Sequence, residues 1–186
     1  MAVITLDFKK YRWFFTSSGT LVIGGKSDAQ NEEVIGLARP HEVVLHTKSP
    51  GSPFCVLKEA IEETNEDVKE AAIFCASFSQ AWKKCKGKSI EVHIFTKAQI
   101  EKGKSMKKGT FGIKGKMDKI KVEPKLYLTF QEGVLRSVPF ESDIAVIMPG
   151  KMKKEQAALM ISKRLEIPAE EVMSALPADG LSIRWL

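Results

Sequence analysis

YRWFFTSSGTLVIGGKSDAQ, residues 11–30, decides how this chain begins to fold. The aromatic-rich run from Tyr11 to Thr16 and the apolar run Leu21-Val22-Ile23 are separated by the turn residues Ser17-Ser18-Gly19, which predicts a β-hairpin. Gly24-Gly25-Lys26 follows. Ser27, with Gln30 three residues on, then completes an S-x-x-Q capping box that starts a helix. This helix is expected to end between Gly36 and Arg39, because Pro40 cannot continue it.

Further along, Val43-Val44-Leu45 predicts a short strand, and the Pro and Gly content of the stretch from Thr47 to Pro53 forbids regular structure there. A long helix is predicted from Asn65 to Lys86, capped by Thr64 and closed by Gly87, with one apolar stripe made by Val68, Ala71, Ala72, Cys75, Phe78, Trp82 and Cys85. Ile90 to Phe95 predicts a strand, Lys97 to Lys108 a lysine-rich loop, and Phe111-Gly112-Ile113 another short strand. Leu126 to Phe130 pairs with Val134 to Val138 across Gln131-Glu132-Gly133. Beyond Pro139 come a strand (Ile144 to Met148), an amphipathic helix (Lys151 to Leu165), a short helix opened by Pro168, and a closing strand from Leu181 to Leu186. The expected fold class is α+β: a mixed, largely antiparallel sheet packed against a long helix (residues 1–138), followed by a small C-terminal αβ module (139–186).

Charge is distributed unevenly. Thirteen lysines lie between Lys83 and Lys121 with only Glu91, Glu101 and Asp118 among them, so this stretch carries +10 against +6 for the whole chain. A local positive field of this kind suits a polyanion, since neutralised phosphates release counterions; it equally suits a solvated surface, and Lys83, Lys84 and Lys86 favour a helix C-terminus in any case. A hydrophobic content of 44% fits a folded domain, and no apolar run approaches the length of a membrane span. The N-terminal MAVITLDFKKYRW lacks the pattern of a signal peptide, and three cysteines without a recurring framework fit a reducing compartment; both point to the cytoplasm. Cys75 and Cys85 lie ten apart with no CxxC, and His41, His46 and His93 are scattered, so no metal site and no cofactor are expected.

Three features bear on chemistry. A glycine turn leading into a capped helix, with Lys26 beside it, offers amide donors and charge to an anion, although the same arrangement serves as a plain structural turn. It is not a nucleotide-hydrolysing phosphate loop, because Thr20 stands where GxxxxGK[ST] needs its first glycine and Leu21-Val22-Ile23 is strand. His46 ends a strand beside Thr47 and Lys48 without a local carboxylate, Glu42 lying on the other side, which favours a hydrogen-bonding or packing role. Cys75, Ser77 and Ser79 fall among core positions of the long helix with no base nearby. The lysine loop is flanked by only Phe95 and Phe111, with Phe111 expected to pack inward, so the surface suits phosphate backbone or folded RNA shape better than base reading.

Taken together, these motifs resemble the RNA-binding domain of the NFACT proteins of ribosome-associated quality control. The similarity runs through Tyr11-Arg12-Trp13-Phe14, Leu21-Val22-Ile23-Gly24-Gly25-Lys26 and Gln30-Asn31-Glu32, then His46, Gly51 and Cys55-Val56-Leu57-Lys58. It continues in Phe78-Ser79-Gln80-Ala81-Trp82, Gln99, Lys102 and the run from Gly109 to Lys116, covering roughly residues 10 to 120. Ser27 stands where the family commonly has an acid, and Lys48 and Pro50 stand where it commonly has an acid and a second histidine. The chain also shows no counterpart of the large N-terminal domain and coiled coil of long members, which implies a standalone version. Transfer-RNA recruitment to stalled large subunits and C-terminal tailing depend on those other parts.

With the local charge, the resemblance implies non-catalytic binding of structured RNA, transfer or ribosomal, in translation or ribosome quality control, with the large ribosomal subunit as a possible partner and no membrane association. Lys26 and Ser27 are expected to hold a phosphate, Asn31 to orient that site, and His46 and Lys48 to line its edge; Lys102, Lys107, Lys108, Lys114 and Lys116 form a broader track. Two alternatives stand beside this: an enzyme or enzyme subunit in transfer-RNA modification that uses His46 or a cysteine, and a protein-interaction module whose region after Pro139 docks a partner.

Overall fold

The computed structural model describes residues 6–58 and 64–186; part of the N-terminal segment read above, residues 1–5, lies outside them. The opening hairpin forms as expected from β1 (Arg12–Phe15) and β2 (Leu21–Gly24). Its turn is tied to the long helix further on: Ser17 N–H and Oγ–H donate to Glu70, and Ser18 Oγ–H donates to Asp67 at 2.6 Å. After the helix α1 (Asp28–Leu37) come β3 (Val43–Thr47), β4 (Cys55–Lys58), β5 (Ile90–Thr96) and β8 (Asp118–Val122), which complete a six-stranded antiparallel sheet ordered β1-β2-β4-β3-β5-β8. The expectations made no strand of β8. It is an edge strand whose Lys119 and Lys121 are exposed, and outward charge of this kind discourages edge-to-edge association.

Side chains alternate across this sheet. Phe14, Val22, Leu45, Leu57 and Val92 face α2 (Asn65–Ser77), whose Ala71, Ala72, Phe74 and Cys75 complete one core. Trp13, Ile23, Val44, Val56 and Phe95 face the other way, against Val34 and Ile35 of α1 and against Phe111 and Ile113. Between β5 and β8 the chain leaves the sheet to form a two-stranded ribbon, β6 (Ile100–Glu101) with β7 (Gly112–Ile113), and the lysine loop lies at its tip.

The long helix departs from expectation, for it breaks after Ser77 and resumes as a single turn, α3 (Ala81–Lys84). Ser79 is the cause. Its hydroxyl donates back to Ala76 O at 2.6 Å and accepts from Ala81 N–H, while Gln80 N–H leaves the helical ladder for Gly51 O at 2.8 Å.

A second sheet, ordered β10-β9-β11-β12, is built from β9 (Leu126–Gln131), β10 (Val134–Val138), β11 (Ala145–Met152) and β12 (Leu181–Trp185). The β9/β10 hairpin turns on Glu132 and Gly133, both at positive φ, which matches the twist of a two-residue hairpin. Because β9 pairs with β11, this hairpin belongs to the C-terminal sheet, and the sheets divide between Val122 and Leu126, upstream of the expected change at 138/139. The helix α4 starts at Lys154, three residues later than predicted, because β11 runs on to Met152 through a bulge after Pro149. Tyr127, Val138 and Val146 pack toward α2, whereas Leu126, Leu128, Ala145 and Ile147 pack toward α4 (Lys154–Leu165) and α5 (Ala169–Ala175). The helix α2 is thus sandwiched between the two sheets.

Candidate functional site

The Gly24-Gly25 turn is held against the first turn of α1. A Cβ on Gly25 would lie 2.2 Å from Asn31 Oδ1 and 2.7 Å from Asn31 N, so no side chain fits there. Ser27 Oγ caps Gln30 N–H at 3.2 Å, and Gln30 Oε1 in turn accepts from Lys26 N–H at 3.0 Å. Asn31 is buried, and its Oδ1 accepts Phe54 N–H at 3.1 Å, which fastens α1 to the segment entering β4 and fixes the Phe54 ring.

The lysine loop folds over the same helix. Lys102 Nζ donates to Glu32 Oε1 (2.6 Å), Lys107 O (2.6 Å) and Thr110 O (2.8 Å), using all three ammonium protons, and it lies 4.8 Å above the Phe111 ring. Gly109 N–H donates to the same Glu32 oxygen at 2.7 Å. These bonds from Lys102 and then Gly109 hold the Glu32 carboxyl below the usual range, keeping it charged. Gly109 sits at φ +74 with Asp28 Cβ 2.7 Å and Asp28 Cα 2.9 Å from where a Cβ would be, so the loop backbone lies directly against the start of the helix.

Between loop, helix and sheet lies a cleft of about 400 Å³. Its apolar walls are Phe54, Phe95, Phe111, Ile113 and Met117; its polar groups include Asp28, Asn31, His46 and His93, and Lys48, Lys107 and Lys108 also line it. The His46 ring lies over Phe54 at 4.3 Å between centroids, and Phe111 meets Phe54 edge-on at 5.1 Å. His46 Nδ1–H donates to Thr47 O at 2.7 Å, which leaves Nε2 as an acceptor. Burial chiefly, with the neighbouring His93 adding to it, pushes the His46 pKa below its ordinary value against the opposing effect of the Thr47 bond, so the ring is neutral at physiological pH. His93 is paired across the sheet with His46 and is oriented by Glu91 Oε1 at 3.1 Å, to which Lys48 also approaches at 3.7 Å.

The fold therefore brings five of the expected residues to one place: Asn31, His46, Lys48, Lys107 and Lys108. Lys102, although exposed, commits its ammonium protons to Glu32, Lys107 O and Thr110 O as a clasp for the loop, and Lys114 is paired with Glu101. Lys116 is exposed on the flank, its carbonyl held by Gln99 Nε2, and Ser27 serves as the helix cap. Lys26 does not line the cleft; the charges that act on it are those of Arg12 and Arg136. Phe111 packs inward against the core as expected and also forms a cleft wall, and Phe54 and His93, which the sequence reading did not place at the site, line the cleft with it. Only strand pairing puts His93 beside His46, so no local signal marks it.

Glu42 is committed to Lys58 at 2.7 Å in a nearly buried pair, away from His46. Cys55 and Cys75 are buried; burial pushes the Cys55 thiol well up, and Cys75 Sγ–H donates to Pro53 O. Among the described residues no group of three or more His, Cys, Asp or Glu side chains is placed to hold a metal ion.

Comparison with known proteins gives consistent matches. A family model described as the NFACT protein RNA binding domain matches residues 10–115. The archaeal Rqc2 homolog aRqcH of Methanocaldococcus jannaschii is 34% identical over 114 residues, 58% of this chain and 17% of that protein. The Drosophila melanogaster homolog of ribosome quality control complex subunit NEMF is 30% identical over 130 residues, 66% of this chain and 12% of that protein, and human NEMF is 28% identical over 122 residues, 59% and 11%. The chain thus spans less than a fifth of the length of these relatives. Among solved structures, the C-terminal part of a fibronectin/fibrinogen-binding protein from Streptococcus suis shares the fold, with a TM-score of 0.56 over 67% of this chain and 48% of that one at 21% identity.

Proposed function

Because the chain belongs to the NFACT protein RNA-binding domain family, we propose that it binds structured RNA, transfer or ribosomal, in ribosome quality control, and does no chemistry on it. The observation that carries this reading is the cleft, which combines aromatic walls, a neutral imidazole acceptor and three lysines. Its volume of about 400 Å³ suits one extruded nucleotide. RNA readers take unpaired bases against aromatic walls and reach phosphates with cations. Lys107 and Lys108 then hold the flanking backbone, Lys48 the opposite rim, and His46 Nε2 accepts from a ribose hydroxyl or a base N–H. The large ribosomal subunit is the natural setting for such a contact, given that the curated relatives are named as ribosome quality control subunits.

Titrating a transfer-RNA transcript at several salt concentrations tests this. Affinity should fall steeply with salt, and Lys107→Glu with Lys108→Glu should weaken binding about tenfold or more across unrelated sequences while lowering the log–log salt slope by about one to two. Salt-independent binding, or unchanged affinity in the double variant, would refute the reading.

A second reading, that the cleft is catalytic, is favoured by His93 being oriented by Glu91 while facing neutral His46. Turnover of transfer RNA that is abolished by His46→Ala and His93→Ala, with binding retained, would replace the first reading by this one.

A further inference from the structure

Away from the cleft, two arginines of the described residues line one small cavity with no carboxylate in an ion pair with either. Where β1, α2, β10 and α5 meet, a small cavity is lined by Arg12, Trp13, Phe74, Phe78, Arg136, Ser137, Ser174 and Ala175. The Arg12 guanidinium stacks on Phe78 at 4.8 Å and that of Arg136 on Trp13 at 4.8 Å, so both planes are fixed. Arg136 donates from Nε to Leu135 O at 2.6 Å and from Nη2 to Ser174 Oγ at 3.2 Å. Among the described residues Arg12 makes no such bonds. Its Nε and the Ser137 hydroxyl are both shielded from solvent and without a hydrogen-bond partner among the described residues, although they line the same cavity.

Two lysines from other elements add to this. Burial and then the charges of Arg12 and Arg136 lower the Lys26 pKa, and burial and then Arg12 do the same to Lys154 at the start of α4. The carboxylates that face the group are Glu171, acting on Arg136, and Glu155 and Asp179, acting on Lys154; no carboxylate among the described residues is in an ion pair with any of the four cations. Two arginines lining one cavity, one of them with a shielded, unsatisfied N–H, and two lysines that feel the Arg12 charge represent a cost that an anion would remove.

We propose that this cluster binds a phosphate group, with Arg12 Nε–H and the Ser137 hydroxyl donating to one oxygen and Lys26 and Lys154 meeting the others. The cavity proper, about 10 Å³, admits a single oxygen, so the anion sits at its mouth with one oxygen inserted. The ligand is a phosphodiester of bound RNA or a free phosphate. Lys26, which the sequence associates with the glycine turn, serves this second site.

The test follows the arginine Nε–H signals of the full chain by NMR as sodium phosphate is added, with ionic strength held constant by chloride. A saturable shift of the Arg12 signal is expected, about tenfold weaker in Lys26→Ala with Lys154→Ala, and weakened also in Ser137→Ala, which removes only the hydroxyl. A shift that does not saturate in the wild-type chain, which a trapped water would produce, or equal affinity in the lysine double variant, overturns the proposal. With saturable phosphate binding established, a salt slope of transfer-RNA binding that falls in the lysine double variant identifies the occupant as RNA backbone, and an unchanged slope identifies it as free phosphate. Because the first arm uses inorganic phosphate, loss of RNA binding on altering the cleft leaves it intact.

Discussion

Replacing Gly25 by alanine adds one methyl group at the point where the glycine turn meets α1. That methyl would stand 2.2 Å from Asn31 Oδ1 and 2.7 Å from Asn31 N, closer than side chains and backbone can approach. Since Asn31 N–H is bonded to Ser27 O at 2.8 Å within the helix, the backbone cannot easily yield, and the Asn31 side chain is displaced. Its bond to Phe54 N–H is then lost in a buried setting. An unsatisfied buried amide costs about 1–3 kcal/mol, and forcing an extra methyl into a packed site costs about 1–3 kcal/mol more, which gives a loss of about 3 kcal/mol. With a urea m-value of about 2 kcal/mol/M, the unfolding midpoint should fall by about 1.5 M. Gly36→Ala is the internal control. Gly36 lies within α1 with nothing inside 4 Å of an added Cβ, so it should be neutral or gain about 0.5–1 kcal/mol. If Gly25→Ala unfolds within about 0.5 kcal/mol of the wild-type protein, the close approach to Asn31 is not what requires glycine, and the argument that this turn positions Phe54 in the cleft falls with it.

Other outcomes follow from the same structure. Lys102→Ala should speed amide hydrogen exchange at Gly109 and through the loop to Thr110, whereas Lys107→Ala should not, because Lys102 ties the loop to Glu32. His46 is held below its ordinary pKa of 6.5, so as pH falls the unfolded chain takes up this proton first; its contribution to stability is complete above about pH 6.5 and is lost as pH falls through the folded value. His46→Gln should therefore flatten the stability profile between neutral pH and about pH 5, measured by denaturant unfolding. Asp67 is lowered from 3.8 to about 2: burial acts to raise it, but hydrogen bonds from Ser18, Thr16 and Thr64 outweigh that. Its contribution of about 2 kcal/mol is present above about pH 4 and disappears toward pH 2, so Asp67→Asn should be destabilising at neutral pH and nearly silent in acid unfolding near pH 2.

How legible the site was depended on whether the deciding interaction is local. The hairpin at Tyr11 to Ile23, the Ser27 cap and the Glu132-Gly133 turn are set by signals close together in the chain, and the structure has them where the sequence put them. The break at Ser79 was missed because the apolar stripe continues through it; only the hydroxyl's competition for Ala76 O, and the capture of Gln80 N–H by Gly51 O, show why the helix stops. The sheet that the β9/β10 hairpin joins was not legible because a hairpin's own sequence does not say which further strand it pairs with, and β9 finds β11 from seventeen or more residues away. The lysines are the clearest case. Lys102, Lys107, Lys108 and Lys114 look alike in the sequence, yet Lys102 and Lys114 are occupied by Glu32 and Glu101 while Lys107 and Lys108 line the cleft.

By itself, the sequence determined most of the elements, the glycine turn before a capped helix and the local excess of positive charge, which follow from backbone propensity, periodicity and composition and need no partner. The family was legible from the resemblance of an ordered set of motifs between about residues 10 and 120. Only the tertiary structure decided that Asn31, His46, Phe54, His93, Phe111 and two loop lysines share one cleft, and that Lys26 does not line it. Strand order and side-chain pairing join residues far apart in the chain, and it is that joining that separates a lysine used to hold the fold from one left to meet a ligand.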